Sequence, residues 1–276
     1  MRLRLLLVLA VAYIDDAVAK TLPIEVLEAI DRADVPRLMR LIPTDELLEA
    51  KSSLEGGCGA LAHAAKVGHG NVVQYLIIQR KANTNHGCHG GYTPLMLASV
   101  CSAQHEVSHN ICPPHLAARH HAEGSIDSYV QVVRLLIRQN ADVDARGPGG
   151  LTALHLAALN GQSLIVKELI HSDADINAKD DFLWTPLMYS VQRGDIESIR
   201  ILVNEGAWVN DKDSAGTNAL GHAAHLGAHG IVAELLALGA DCTAIDFYQK
   251  TPLDYAKNHG DERTVRLLEN AQNKFK

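Results

Sequence analysis

The 276 residues are 47% apolar and 21% charged, a globular balance that excludes wholesale disorder, while an aromatic content of only 4% argues against a large conventional core. With 36 Leu and 36 Ala, the interior must be filled by small apolar helix formers, and the composition predicts thin, closely packed helical layers. A formal charge of −7 argues against a nucleic-acid binder, and five cysteines without a CxxC pair indicate neither a disulfide framework nor a ribbon-type zinc site.

Residues 1–19 read as a cleavable signal: Met1 to Arg4 is cationic, Leu5 to Ile14 is apolar, and Ala17-Val18-Ala19 has the small residues a signal peptidase accepts. The alternative is an extra N-terminal helix. Cleavage would place the protein in the secretory pathway, and its absence in the cytoplasm. The apolar run is too short for a transmembrane segment, and no other stretch is long enough. From Ile24 to Ile42, Val26, Leu27, Ile30, Val35, Leu38 and Leu41 have the spacing of a short helical pair. Gly59-Ala60-Leu61, Gly68, Val72-Val73 and Leu76-Ile77 outline a second, slightly longer pair, and Thr93-Pro94-Leu95-Met96-Leu97-Ala98 starts a third. The partner of that last helix is expected around Val132-Val133 and Leu135-Leu136, after an insertion near residues 100–126.

Beyond the insertion a period of 33 residues is plain, with Thr152, Thr185 and Thr251 in phase and Gly161, Gly194, Gly227 and Gly260 in phase. Ala141, Ala174, Ala207 and Ala240 repeat in the same register. Each position has a physical reason. Threonine caps a first helix, and proline after it loses nothing because that amide is unpaired anyway. Paired alanines such as Ala64-Ala65 and Ala157-Ala158 let neighbouring repeats approach closely, glycine turns the chain between helices, and Ile165-Val166 with Leu169-Ile170 gives the second helix its apolar face. Thr152-Ala153-Leu154-His155-Leu156-Ala157-Ala158, Thr185-Pro186-Leu187-Met188 and Thr251-Pro252-Leu253-Asp254 closely resemble the ankyrin-repeat signature over roughly residues 24–270. The resemblance implies an all-α solenoid of helix-turn-helix units joined by hairpin loops. It would fill residues 20–276 with about seven units, the outermost acting as caps. It also implies a non-catalytic scaffold that binds a protein partner on the concave face of hairpin tips and inner helices.

Two features are candidates for chemistry. Phe182, Trp184, Trp208, Phe247 and Tyr248 lie in the hairpin segments of the last repeats, where such a unit offers no inter-repeat core to fill. Water-exposed rings of this kind are expected to be binding anchors. Leu183 stands where the pattern prefers glycine, so its hairpin is expected to be irregular.

The second feature is the insertion, where Cys101, His105, His109, Cys112, His115, His120 and His121 crowd together and His105-Glu106-Val107-Ser108-His109 spells HExxH. Two histidines one helical turn apart can hold zinc, with Cys112 or His115 completing the set. A zinc peptidase also needs a sheet behind the helix and a methionine turn, for which the insertion has no room. We therefore read these histidines as solvent-facing or structural, with no cofactor, and keep as the alternative a metal-binding module in the insertion, a structural zinc site or, more remotely, a zinc peptidase. Without GxSxG, a phosphate loop or GxGxxG, hydrolase, kinase and dinucleotide readings have no residues to rest on.

Overall fold

The structure is a computed structural model, and it describes residues 24–42, 59–87, 91–100 and 126–274. The expected signal at residues 1–19, Cys58 and the insertion residues 101–125 lie outside the described residues. No strand occurs among the described residues, where one isolated antiparallel bridge joins Lys212 and Asn218. The helices fall into two compact units, Met1–Ala153 and Leu154–Lys276.

The first unit opens with α1 (Ile24–Asp31) and α2 (Val35–Leu41). Asp34 caps α2 by accepting from the backbone N–H of Arg37 at 2.9 Å, and Val26, Ala29, Ile30, Leu38 and Ile42 are buried between the helices. The next pair is α3 (Ala60–Val67), buried along its whole length, and α4 (Gly70–Gln74). From Gly59 to Thr93 is 34 residues, one more than the period, and the structure shows where the extra residue goes. Past Gln74 the chain widens into a π-helical turn, Tyr75–Gln79. There Ala82 donates its N–H to Leu76 O, six residues back, whereas the equivalent Ala174 reaches Leu169 O, five back. A single-residue insertion is absorbed in the helix without disturbing the apolar face of Val72, Val73, Leu76 and Ile77.

Helix α5 (Pro94–Val100) is also wholly buried, and Thr93 Oγ1 caps it by accepting from Met96 N–H at 3.2 Å. Its partner is α6 (Ile126–Arg138), which buries Tyr129, Val132, Val133 and Leu136. The expected pairing of the helix at Pro94 with the one around Val132 is thus observed. Tyr129 packs α6 onto the end of α3: its ring lies where a side chain on Gly68 would be, 2.8 Å from the Cβ position, and its hydroxyl donates to Lys66 O and Val67 O at 3.3 and 3.2 Å. Gly68 has φ of +83°, so a missing side chain is required there twice over, by the backbone and by Tyr129.

The second unit is four regular helix pairs. They are α7 (Ala153–Leu159) with α8 (Ser163–Ile170), α9 (Pro186–Arg193) with α10 (Ile196–Asn204), α11 (Ala219–His225) with α12 (His229–Ala237), and α13 (Pro252–His259) with α14 (Glu262–Lys274). The caps follow from the residues at each start. Thr185 accepts from Met188 N–H at 3.4 Å, Asn218 from Gly221 N–H at 2.8 Å, and Thr251 forms a reciprocal capping box with Asp254. Ala157, Ala158, Ala223 and Ala224 are completely enclosed, as expected of residues that permit close stacking. His155 is buried too, and its Nε2 lies 3.0 Å from Ala178 O and 3.1 Å from Trp184 O. It therefore ties its helix to the following hairpin.

Candidate protein-binding surface

The hairpins of the second unit are built on an aspartate that recurs with the 33-residue period, at 180, 213 and 246. In each case Oδ1 accepts from two backbone N–H groups, two and four residues ahead, at distances of 2.8–3.0 Å. This is the way aspartate closes a tight turn. The fourth residue of each turn is left-handed: Leu183 at φ +59°, Gly216 at +80° and Gln249 at +58°. The anticipated irregularity at Leu183 is therefore confined to its own backbone, which keeps the glycine conformation with a leucine side chain 45% exposed. Leu183→Gly should raise stability by about 0.5–1 kcal/mol, the left-handed penalty of about 1–2 kcal/mol less the extra chain entropy of glycine. A urea titration of the two proteins measures it.

Side by side, the turns are linked through a second periodic residue. Asn177 Oδ1 accepts from Trp208 N–H at 2.8 Å, and Asn210 Oδ1 from Asp241 N–H at 2.7 Å. At the tips, Ser214 donates its N–H to Phe182 O at 2.9 Å and Phe247 donates to Ala215 O at 3.0 Å.

On this frame the five aromatic candidates separate. Trp208, Phe247 and Tyr248 are 62%, 75% and 72% exposed, as expected of rings with no core to fill. Phe247 also lies across Gly216, where a Cβ would be 3.0 Å from its ring. Phe182 is half-buried. Trp184 overturns the expectation of an exposed ring: it is buried, 3% exposed. Its indole Nε1–H donates to Asp213 Oδ2 at 2.9 Å, and its ring packs edge-on to Tyr189 and tilted against His222, with centroids 5.2 and 4.5 Å away. The physical reason is that residue 184 begins the return from the hairpin to the helix cap and points under the next turn. Ile245, 49% exposed, belongs with the exposed rings, an aliphatic member missed by a search for aromatics alone.

A second ladder follows the same period. Nine residues after each turn aspartate stands Tyr189, His222 or Tyr255. Tyr189 donates its hydroxyl to Asp180 Oδ2 at 2.6 Å, His222 Nε2 lies 3.0 Å from Asp213 Oδ2, and Tyr255 donates to Asp246 Oδ2. Burial pushes against ionisation of Asp213, but hydrogen bonds from His222, Thr217 N–H and Ala215 N–H, with the His222 charge, outweigh it and hold the carboxyl below its usual range. Tyr255 is pushed up to about 12 by burial first and by its bond to the Asp246 carboxylate second. These groups hold hairpin to helix. Cys242 is a buried thiol pushed up by desolvation, in keeping with a small apolar role.

The candidate zinc ligands His105, His109, Cys112 and His115, with Glu106, lie outside the described residues. Among the described residues, no group of three or more His, Cys, Asp or Glu side chains could hold a metal ion. No helix of the described residues is long and apolar enough to cross a membrane.

Compared with known families, the sequence matches ankyrin repeats (3 copies) over residues 100–180 and 187–275, and ankyrin repeats (many copies) over residues 164–203. No curated protein matches it.

Proposed function

The chain belongs to the ankyrin-repeat family, and from that premise we propose that it is a non-catalytic protein-binding module whose partner docks on the hairpin edge of the second unit. Ankyrin repeats generally mediate protein–protein interaction, and proteins built from them are typically non-catalytic scaffolds. The observation that supports the location is exposure: Trp208, Ile245, Phe247 and Tyr248 present large apolar groups to water on turns whose backbones are fixed by hydrogen bonds. A rigid turn carrying an exposed ring loses little entropy on binding, which is what makes Trp and Tyr effective anchors. Trp184 has no part in this surface, because its ring is spent on the fold.

Selection of peptides from a displayed library on the full chain tests the reading. The selected peptides should bind the Phe247→Ser, Tyr248→Ser double variant at least about tenfold more weakly, the loss expected for removing an anchor. Equal binding by the variant would place the docking surface elsewhere.

A further inference from the structure

The surroundings of Trp208 bear on the chemistry of the partner, on the premise that the hairpin edge is where it docks. Trp208 occupies the turn position that carries Asp175 one period earlier and Asp241 one period later. The three turns are neighbours, since Trp208 N–H donates to Asn177 Oδ1 at 2.8 Å and Asp241 N–H to Asn210 Oδ1 at 2.7 Å. All three residues are exposed, with Trp208 at 62%. An indole face therefore stands in water with a carboxylate on the turn to either side. Each carboxylate is held in place by its own turn: Asp175 Oδ1 accepts from Asn177 N–H at 3.0 Å, and Asp241 Oδ1 from the N–H and hydroxyl of Thr243 at 2.8 and 2.7 Å.

The lysines on these turns have partners of their own. Lys179 is paired with Asp211 at 3.0 Å, and Lys212 Nζ donates to Ile245 O at 2.9 Å. A purely apolar partner pressed onto Trp208 would have to strip water from flanking carboxylates without replacing their hydrogen bonds, and an acidic one would be repelled. A planar cation meets both demands, because its face lies on the negative face of the indole while its edge donates to carboxylates. Guanidinium suits this better than ammonium, being flat, more weakly hydrated and able to donate in several directions. The net charge of −7 favours the encounter.

We infer that Trp208, flanked by Asp175 and Asp241, is the docking point for an arginine-bearing segment of the partner protein. The probe is an acetylated, amidated Arg-Gly-Arg-Gly-Arg peptide, compared with its Lys and Gln counterparts by fluorescence anisotropy on the full chain. The arginine peptide should bind most tightly, the lysine peptide less so and the glutamine peptide least, with affinity falling as salt is raised. Trp208→Ala should lower arginine-peptide affinity at least about tenfold, Trp208→Phe less, and Asp175→Asn with Asp241→Asn by a comparable factor. Glu262→Gln, which alters an exposed carboxylate elsewhere in the unit, should change nothing. Equal binding of the arginine and glutamine peptides, or arginine binding indifferent to Trp208→Ala or equally sensitive to Glu262→Gln, would overturn the inference. The library selection keeps the two readings apart: selected peptides that lack cations yet lose binding to the Phe247→Ser, Tyr248→Ser variant would leave the hairpin edge standing and remove only the arginine.

Discussion

Trp184→Ala should lower the stability of the chain by about 3–5 kcal/mol, the cost of emptying a buried site the size of an aromatic side chain. The ring is 3% exposed, is packed against Tyr189 and His222, and donates its only N–H to Asp213. The variant therefore loses packing and a hydrogen bond to a charge, and leaves a cavity under the turn at Asp213. Trp184→Phe should recover much of the packing without the hydrogen bond, and fall between the two. Trp208→Ala serves as the contrast: that ring is 62% exposed, so its removal should change stability by no more than about 0.5 kcal/mol. Chemical denaturation followed by far-ultraviolet circular dichroism measures all three. If Trp184→Ala were as stable as Trp208→Ala, the indole would not be the support of the hairpin that its contacts describe.

The contrast between these tryptophans marks how far the sequence could be read. The 33-residue period located helices, caps and glycine turns because each is enforced locally: threonine bonds its own helix N-terminus, and glycine alone takes a left-handed backbone without strain. Even the extra residue before Thr93 was visible as a lengthened repeat, though its π-turn was not, because several positions along a helix can absorb an insertion. Trp184 was misread because hairpin residues were treated alike. One period earlier stands Leu151, apolar and also buried, and one period later Thr217, so the column itself pointed inward. At the column's last member, Lys250, the side chain is exposed. Trp208 is exposed for the complementary reason, since its column holds aspartates, and a position that accepts aspartate is one that faces water. The aspartate columns at 180, 213 and 246 and their partners nine residues on carried the same kind of information, which a search for apolar periodicity passes over.

Asp213→Ala should also cost about 3–5 kcal/mol, because it removes one end of a buried hydrogen-bonded charge and leaves several donors without their acceptor. Asp213 Oδ1 closes the turn through Ala215 N–H and Thr217 N–H, at 2.8 and 3.0 Å, while Oδ2 takes Trp184 Nε1–H at 2.9 Å and meets His222 Nε2 at 3.0 Å. One carboxylate thus joins the return of one repeat, the turn of the next and its inner helix. Asp213→Asn keeps the shape but not the charge and should cost less, about 1.5–3 kcal/mol, in line with hydrogen bonds to ionised groups. The two changes should also be coupled: once Trp184 is alanine, Asp213→Ala should cost measurably less than it does alone. The sign of the pH effect follows from the folded carboxyl lying below its ordinary range. Its contribution is fully present above the unfolded value, near pH 4, and is lost as pH falls through the lower folded value. The stability difference between the natural chain and Asp213→Asn should therefore shrink steadily as the pH is lowered from about 5 through the folded value. Urea titrations of both proteins across that range decide it, and a difference that held constant, or grew, on acidification would mean that the ionised Asp213 is not what fastens the hairpin.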